Sequence, residues 1–411
     1  MKKRKTFYLL SPRFRDSQFT KAEGIIPYVM QKHHGYQAVY VMYQPLIGHL
    51  ELSSLKAYTE NVTIDYIQPS FLFRAEDSSD NVYATVMRHV DECSQDLVHY
   101  IERKAHHIDV LYLSGFYAYY YDAVIRYKEI KPKGKVYLKL DANLMWINKT
   151  TLEEKFIEFL SRCDLITSET QLVRYINQKW PVPVHYIPNG FYSFSTPSSG
   201  GDRFFSFEDK EDIILTVGRL GTWQKATDVL LEAFRLVVPY VSESWKLILV
   251  GSVEEEFQPY LRTFFEHHPD LKERIVFTGF LLDKDRLRDW YKKAKIFVLP
   301  SRLEALANVY LEAKAHGCYL VLSDIESSRD VASDFPSIFD PVPVGTDQLG
   351  MYGSFFPVDD TQTMAERLIE ACNDEERLKS VCYSTQEDVK RRFDWIKLCK
   401  KIDILLYMSN I

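Results

Sequence analysis

The chain has no apolar run approaching the ~18 residues that a membrane span needs, no Cys-x-x-Cys pair and no net basic charge. Each absence excludes something. Without a long apolar run, a membrane-spanning reading has no support. The six cysteines (Cys93, Cys163, Cys318, Cys372, Cys382 and Cys399) stand apart, with no histidine ladder beside them. They read as reduced, mostly buried thiols rather than a zinc site or a disulfide framework. The net charge is −6 and no basic stripe is interleaved with aromatics. A nucleic-acid partner is therefore not expected, and any anion site must be local.

What is present is ordinary globular composition. Hydrophobic residues are 46% and charged residues 26% of 411, enough for two or three domains with sizeable cores. The basic start, "MKKRKTFYLLSPRFRD", holds an apolar stretch too short for a secretory leader. The expectation is a cytoplasmic protein. A peripheral contact of the basic start with the inner membrane face is left open.

Short apolar runs alternate with longer helical patterns. "TFYLL", "AVYVMY", "VTIDYI", "DVLYLS", "KVYLKL", "DLITS" and "VHYIP" read as strands in the first half. "DIILTVG", "WKLILVGS", "RIVFTG", "KIFVLPS", "CYLVLSD" and "SIFDPV" do so in the second. Helical patterns cover 81–104, 152–162, 228–238, 257–267, 285–294 and 309–316. The alternation predicts parallel sheets with both faces covered. A Ser-, Gly- and charge-rich stretch, 193–212, divides the chain into halves of similar rhythm without a sequence repeat. The expected fold class is α/β, with two doubly wound Rossmann-like domains. In such sheets ligands bind outside the carboxyl ends of the strands.

Two stretches place chemistry at those ends. In "ILTVGRLGTWQKATDVLLEAF" a strand ends at Val217, and Gly218, Arg219 and Gly221 make a turn. Lys225 then precedes a helix starting near Thr227 or Asp228. Arginine offers a planar fork to phosphate oxygens and lysine a compact point charge. Two solvated surface cations would look the same. In "KIFVLPSRLEALANVYLEAKAHG" a strand runs to Pro300, a loop carries Glu304, and a helix begins near Val309. Its first N–H groups form a ready anion site. Ala305 and Ala307 are small enough for close approach. Glu312, placed in about the first turn, can accept from a vicinal diol such as a ribose, or can merely complement the helix dipole. A third stretch, "VHYIPNGFYSF", carries a Pro-Asn-Gly turn signal at Asn189 and Gly190.

These stretches resemble the retaining GT-B glycosyltransferases of the family 4 type (glycosyl transferases group 1). The resemblance rests on Gly218, Arg219, Leu220, Lys225, Asp228, Leu230 and Glu232 to Phe234, on Ile187 to Gly190, and on Pro300, Ser301, Glu304, Leu311 to Ala313, Ala315 and Gly317. It covers most of 212–411 and only the rhythm of the first half.

The resemblance implies two domains facing across a cleft. Residues 1–195 would form the acceptor side and 196–390 the nucleotide-sugar domain, with a helix at 391–411 returning toward the first. Arg219 and Lys225, beside Gly218, would hold the donor diphosphate. Glu312 would hold the ribose. Glu304 would contact the transferred sugar, helped by backbone N–H groups near Ala307, Asn308 and Val309. Catalysis would fall to Arg219, Lys225 and Glu304, with retention, no metal and no cofactor. The donor would be a nucleotide sugar, a UDP-sugar before a GDP-sugar. The acceptor would be a glycan, a lipid-linked glycan or a protein.

The chain departs from the family at three places. Ala226 stands where the family usually has glycine, and Ala305-Leu306-Ala307 stands for Gly-Phe-Gly; the added methyl groups are expected to narrow the sugar pocket. Asp141 stands where the family often has histidine. It binds the sugar, helps the acceptor proton leave, or caps the next turn. Gly24 is the remnant of an N-terminal glycine pair. Gly24, Asp141, Asn189 and Gly190 are the acceptor-side candidates. "DKD" at 283–285 reads as a helix start rather than a metal motif. A non-catalytic partner of a glycosyltransferase complex, an epimerase and a phosphorylase carrying pyridoxal phosphate remain the other readings.

Overall fold

The computed structural model describes residues 4–44, 62–72, 82–194, 204–281, 283–333 and 349–408. The chain forms two units, Met1–Phe194 with Trp395–Ile411, and Ser195–Asp394.

The first unit holds a seven-stranded parallel sheet in the order β3-β2-β1-β4-β5-β6-β7. Its strands are β1 (Thr6–Leu10), β2 (Gln37–Tyr43), β3 (Thr63–Ile67), β4 (Val110–Ser114), β5 (Lys135–Lys139), β6 (Leu165–Ser168) and β7 (His185–Tyr186). Continuous apolar strands suit a sheet covered on both faces. In β1, Tyr8 and Leu10 face a core with Tyr100, Tyr127 and Phe159. Phe7 and Leu9 face the opposite core, shared with Ile26, Trp395, Leu398 and Ile402. The last helix, Trp395–Met408, therefore covers the first sheet. Trp395 N–H also donates to the Phe191 carbonyl at 3.3 Å.

The second unit repeats the plan as β10-β9-β8-β11-β12-β14-β13, parallel except for the β13–β14 pair. Its strands are β8 (Glu211–Val217), β9 (Lys246–Val250), β10 (Ile275–Gly279), β11 (Ala294–Leu299), β12 (Tyr319–Ser323), β13 (Leu349–Gly350) and β14 (Gly353–Phe356). Gly251, at φ +147°, lets the ends of β8 and β9 close up. A Cβ there would stand 1.8 Å from the Gly218 carbonyl.

Several expectations are corrected. The boundary at 390 falls inside the helix Glu375–Arg392. That helix stays with the second unit through Asp388, fully buried between Lys314 and Arg392. Burial pushes the Asp388 carboxyl up, but Lys314 and Arg392 outweigh burial and hold it below the usual range, and Arg391 pairs with it as well at 2.8 Å. The helical stretch 81–104 breaks at His89 into Val82–Arg88 and Val90–Lys104, with the imidazole stacked on Phe71. The Pro-Asn-Gly signal makes no turn; 187–190 run on past β7. The helices Thr361–Asn373 and Glu375–Arg392 and the strand β14 are additional to the expected elements. "SIFDPV" and 195–203 lie outside the described residues. All six cysteines are free thiols.

Candidate active site

β8 and β11 are neighbours at which the strand order reverses, the place where such sheets take their ligands. After β8, Gly221 turns at φ +88°, where a Cβ would stand 2.4 Å from the Phe257 ring. Its N–H donates to Thr227 Oγ1 at 2.8 Å. A short turn, Trp223–Lys225, follows, and Ala226 enters the helix Thr227–Val237 in the left-handed region at φ 47°. Glycine is the cheaper residue there, because an L side chain in this region crowds the following carbonyl.

After β11, Ser301 to Glu304 are laced onto that first loop. Arg302 N–H donates to the Gln224 carbonyl at 2.8 Å, and Gln224 Nε2 donates to the Leu303 carbonyl at 3.0 Å. The Arg302 guanidinium binds the Asp359 carboxylate at 2.7 Å and the Trp223 carbonyl. The two loops thus form one platform. On it Lys225 Nζ pairs with Glu304 Oε1, both side chains nearly buried. An ammonium has three donors, and this pair occupies one. The Lys225 stem lies across Gly218, 3.4 Å from where a Cβ would be. Arg219 is exposed, with a long contact of 3.5 Å to Gln224 Oε1.

The helix Asn308–Ala315 starts beside this pair. Its N-cap, Ala307, provides no side-chain acceptor, so the first N–H groups at Asn308 and Val309 receive no cap from it. Leu306 is buried and turned inward. Glu312 is corrected in place. It is the fifth residue of the helix, whose first turn carries no acid, so the helix dipole does not account for it. The half-buried Glu312 carboxylate accepts from the Tyr291 hydroxyl at 2.8 Å.

The acceptor-side candidates fall in the first unit. Asp141 is exposed directly after β5, in the left-handed region at φ 49°. It does not cap the next helix; Asn143 does, accepting from Trp146 N–H at 3.1 Å. The turn is held from below by Glu169, which accepts from Ala142 N–H at 2.7 Å and pairs with Lys139 at 3.1 Å, both side chains fully buried. Gly24 lies inside the helix Ala22–His33, where a Cβ would stand 2.5 Å from Phe19 Cα. A side chain would not fit this close approach. Glu23 beside it is buried against Ser11, and burial pushes its carboxyl up despite Arg13. Asn189 and Gly190 are buried after β7.

Asp283 caps the helix Lys284–Lys293, accepting from Asp285 N–H at 2.8 Å. Among the described residues no group of His, Cys, Asp or Glu is placed to hold a metal ion. Among them, too, no helix is long and apolar enough to cross a membrane.

Residues 211–374 match the family model described as glycosyl transferases group 1. The chain is 31% identical over 147 residues to mannosylfructose-phosphate synthase of Agrobacterium fabrum, covering 34% of this chain and 32% of that one. It is 32% identical over 129 residues to an uncharacterised glycosyltransferase of Methanocaldococcus jannaschii, covering 31% of each. The matches thus span about a third of these relatives' length. Over nearly the whole chain the fold is that of two solved structures. Sucrose-phosphate synthase from Thermosynechococcus elongatus superposes at TM-score 0.68 with 14% identity, covering 98% of this chain and 99% of that one. Anabaena HepE in complex with UDP superposes at 0.66 with 15% identity, covering 99% and 100%. The two-sheet α/β arrangement is the GT-B architecture.

Sequence reasoning missed Arg302, Gln224, Tyr291, Lys139, Glu169 and Glu23. Lys139 within an apolar strand and Glu169 just past one were a readable signal, since a charge in a buried strand needs a partner. Tyr291 carried no such mark.

Proposed function

We propose that the chain is a glycosyltransferase moving a sugar from a nucleotide-sugar donor to a glycan, a glycolipid or a protein acceptor. The anomeric configuration is retained and no metal is required. The observation that carries this reading is the platform of Arg219, Lys225 and Glu304, set against a helix start without a side-chain cap, inside the segment matching glycosyl transferases group 1.

The chemistry follows from charge. Transfer breaks the bond from the anomeric carbon to a phosphate oxygen, which gains negative charge as the sugar becomes oxocarbenium-like. Fixed positive groups at that oxygen lower the barrier. Arg219, Lys225 and the N–H groups of Asn308 and Val309 supply them in place of a metal. Lys225 keeps donors for phosphate while paired with Glu304, which faces the transferred sugar. Glu312 accepts from the ribose. The leaving phosphate takes the acceptor's proton, so no enzyme nucleophile is needed. Asp141 is the acceptor-side carboxylate. A UDP-sugar is the first donor to test, since HepE, which shares the fold, was solved with UDP and with UDP-glucose.

A thermal-shift panel of UDP-, GDP-, ADP- and TDP-sugars on wild type and Glu312→Ala tests the reading. A donor at about 100 times its dissociation constant should stabilise the wild type by about 2.7 kcal/mol, and the shift should fall to about 1.4 kcal/mol or less in the variant, where binding is about tenfold or more weaker. No shift with any nucleotide would overturn it.

A further inference from the structure

Tyr291 belongs to none of the motifs, yet it touches the one carboxylate that this reading gives to the ribose. It sits late in the helix Lys284–Lys293, fully buried, and its hydroxyl donates to Glu312 Oε2 at 2.8 Å. Its ring lies in an aromatic stack. Tyr291 and His316 are 5.7 Å apart at 18°, and His316 and Phe205 are 4.7 Å apart at 25°. His316 Nδ1 lies 2.7 Å from the Glu312 carbonyl. That oxygen only accepts, so Nδ1 carries the hydrogen and donates. Burial keeps the imidazole neutral, its pKa pushed down to about 3. The His316 carbonyl in turn accepts from the buried Lys210 ammonium at 2.8 Å. One stack thus grips Glu312 twice, at its main chain through His316 and at its carboxylate through Tyr291.

A carboxylate has about four acceptor positions on two oxygens. The phenol takes one on Oε2 and so restricts the rotation of the group, and among the described residues no other side chain is seen to bond it, which leaves Oε1 for a ligand. A vicinal diol needs acceptors fixed in direction, because its two hydroxyls diverge. A free glutamate on a helix surface would satisfy either hydroxyl from many rotamers and distinguish little.

We infer that Tyr291 is a positioning residue that orients the Glu312 carboxylate and thereby makes the donor site select ribose over 2′-deoxyribose. The inference rests on the reading of Glu312 as the ribose carboxylate.

The test is calorimetric titration of UDP and 2′-deoxy-UDP into wild type, Tyr291→Phe, Glu312→Ala and the double variant. GDP and ADP with their deoxy forms are the next pairs. Wild type should prefer the ribonucleotide by about tenfold or more, the scale of a hydrogen bond to a charged group. Tyr291→Phe should weaken UDP about tenfold, leave the deoxy form within about threefold, and so largely erase the preference. In the Glu312→Ala background it should change neither. Glu312→Asp, which draws the carboxylate away from the phenol, should reproduce the Tyr291→Phe profile, and this holds the test open if Tyr291→Phe folds poorly. An undiminished preference in Tyr291→Phe, equal weakening of both nucleotides, or an effect that persists without Glu312 would overturn the inference and leave the donor site standing. A wild type that binds no nucleotide, or a preference that survives Glu312→Ala, would instead defeat the reading of Glu312.

Discussion

The two sheets share the order of their first five strands and differ only at the β6-β7 and β14-β13 ends, yet the loops at their carboxyl edges treat charge in opposite ways. In the second unit, Arg219 is exposed, and Lys225 and Glu304 sit on a platform built from two loops sewn together. In the first, the strong charges lie underneath. Lys139 and Glu169 are fully buried, Glu23 is buried against Ser11, and Asp141 stands exposed on a strained residue above them. The difference suits the two tasks proposed for these edges. Gripping a diphosphate calls for cations held on a fixed edge, one of them exposed and one packed into it. Shaping an acceptor-side loop calls for a rigid floor beneath it, where a buried pair fixes geometry more than it adds stability.

The comparison breaks most sharply at the floor. Lys139→Met leaves Glu169 as an unpaired buried charge and should cost about 3–5 kcal/mol in urea denaturation. Adding Glu169→Gln, which keeps an acceptor for Ala142 N–H, should recover much of the loss. The nucleotide affinity proposed for the second-unit edge should be unchanged in any fraction that remains folded.

Acid sharpens the contrast. The folded-state pKa of His316, about 3, lies below the ordinary value of 6.5. Its contribution is therefore present above pH 6.5 and is lost as pH falls toward 3. At pH 5 the loss should be about 2 kcal/mol. Glu23, in the first unit, runs the other way. Its folded pKa is raised, so its protonation on acidification favours the folded state. Wild type and His316→Phe, which keeps the stack without a titrating group, should diverge in stability between pH 7 and 5. Parallel curves would remove His316 as the cause.

The smallest effect is expected at Ala226. Relieving the left-handed strain gains about 1–2 kcal/mol. The greater chain entropy of glycine and the lost buried methyl take back a similar amount. Ala226→Gly should shift stability by less than about 1 kcal/mol.

How much of this was legible in the sequence follows from distance along the chain. Most strands, the two-unit plan and the residues at the β8 and β11 edges were readable, because each loop's charges are local, whereas β14 was not. Lys225 and Glu304, 79 positions apart, were each recognisable, but their pairing was not. Tyr291 and Glu312 are 21 apart on different helices, and Arg302 and Asp359 are 57 apart. Such contacts depend on how two helices or loops settle on a sheet, which periodicity does not encode. Asp141 was visible as an acid after a strand, but its positive φ and buried floor were not.

The most direct test compares the two edges in one titration. UDP binding is measured on wild type, Lys225→Ala and Asp141→Asn under identical salt. Binding at the second-unit edge predicts a loss of about tenfold or more in Lys225→Ala and an unchanged dissociation constant in Asp141→Asn. Equal weakening by both variants, or none by Lys225→Ala, would contradict it.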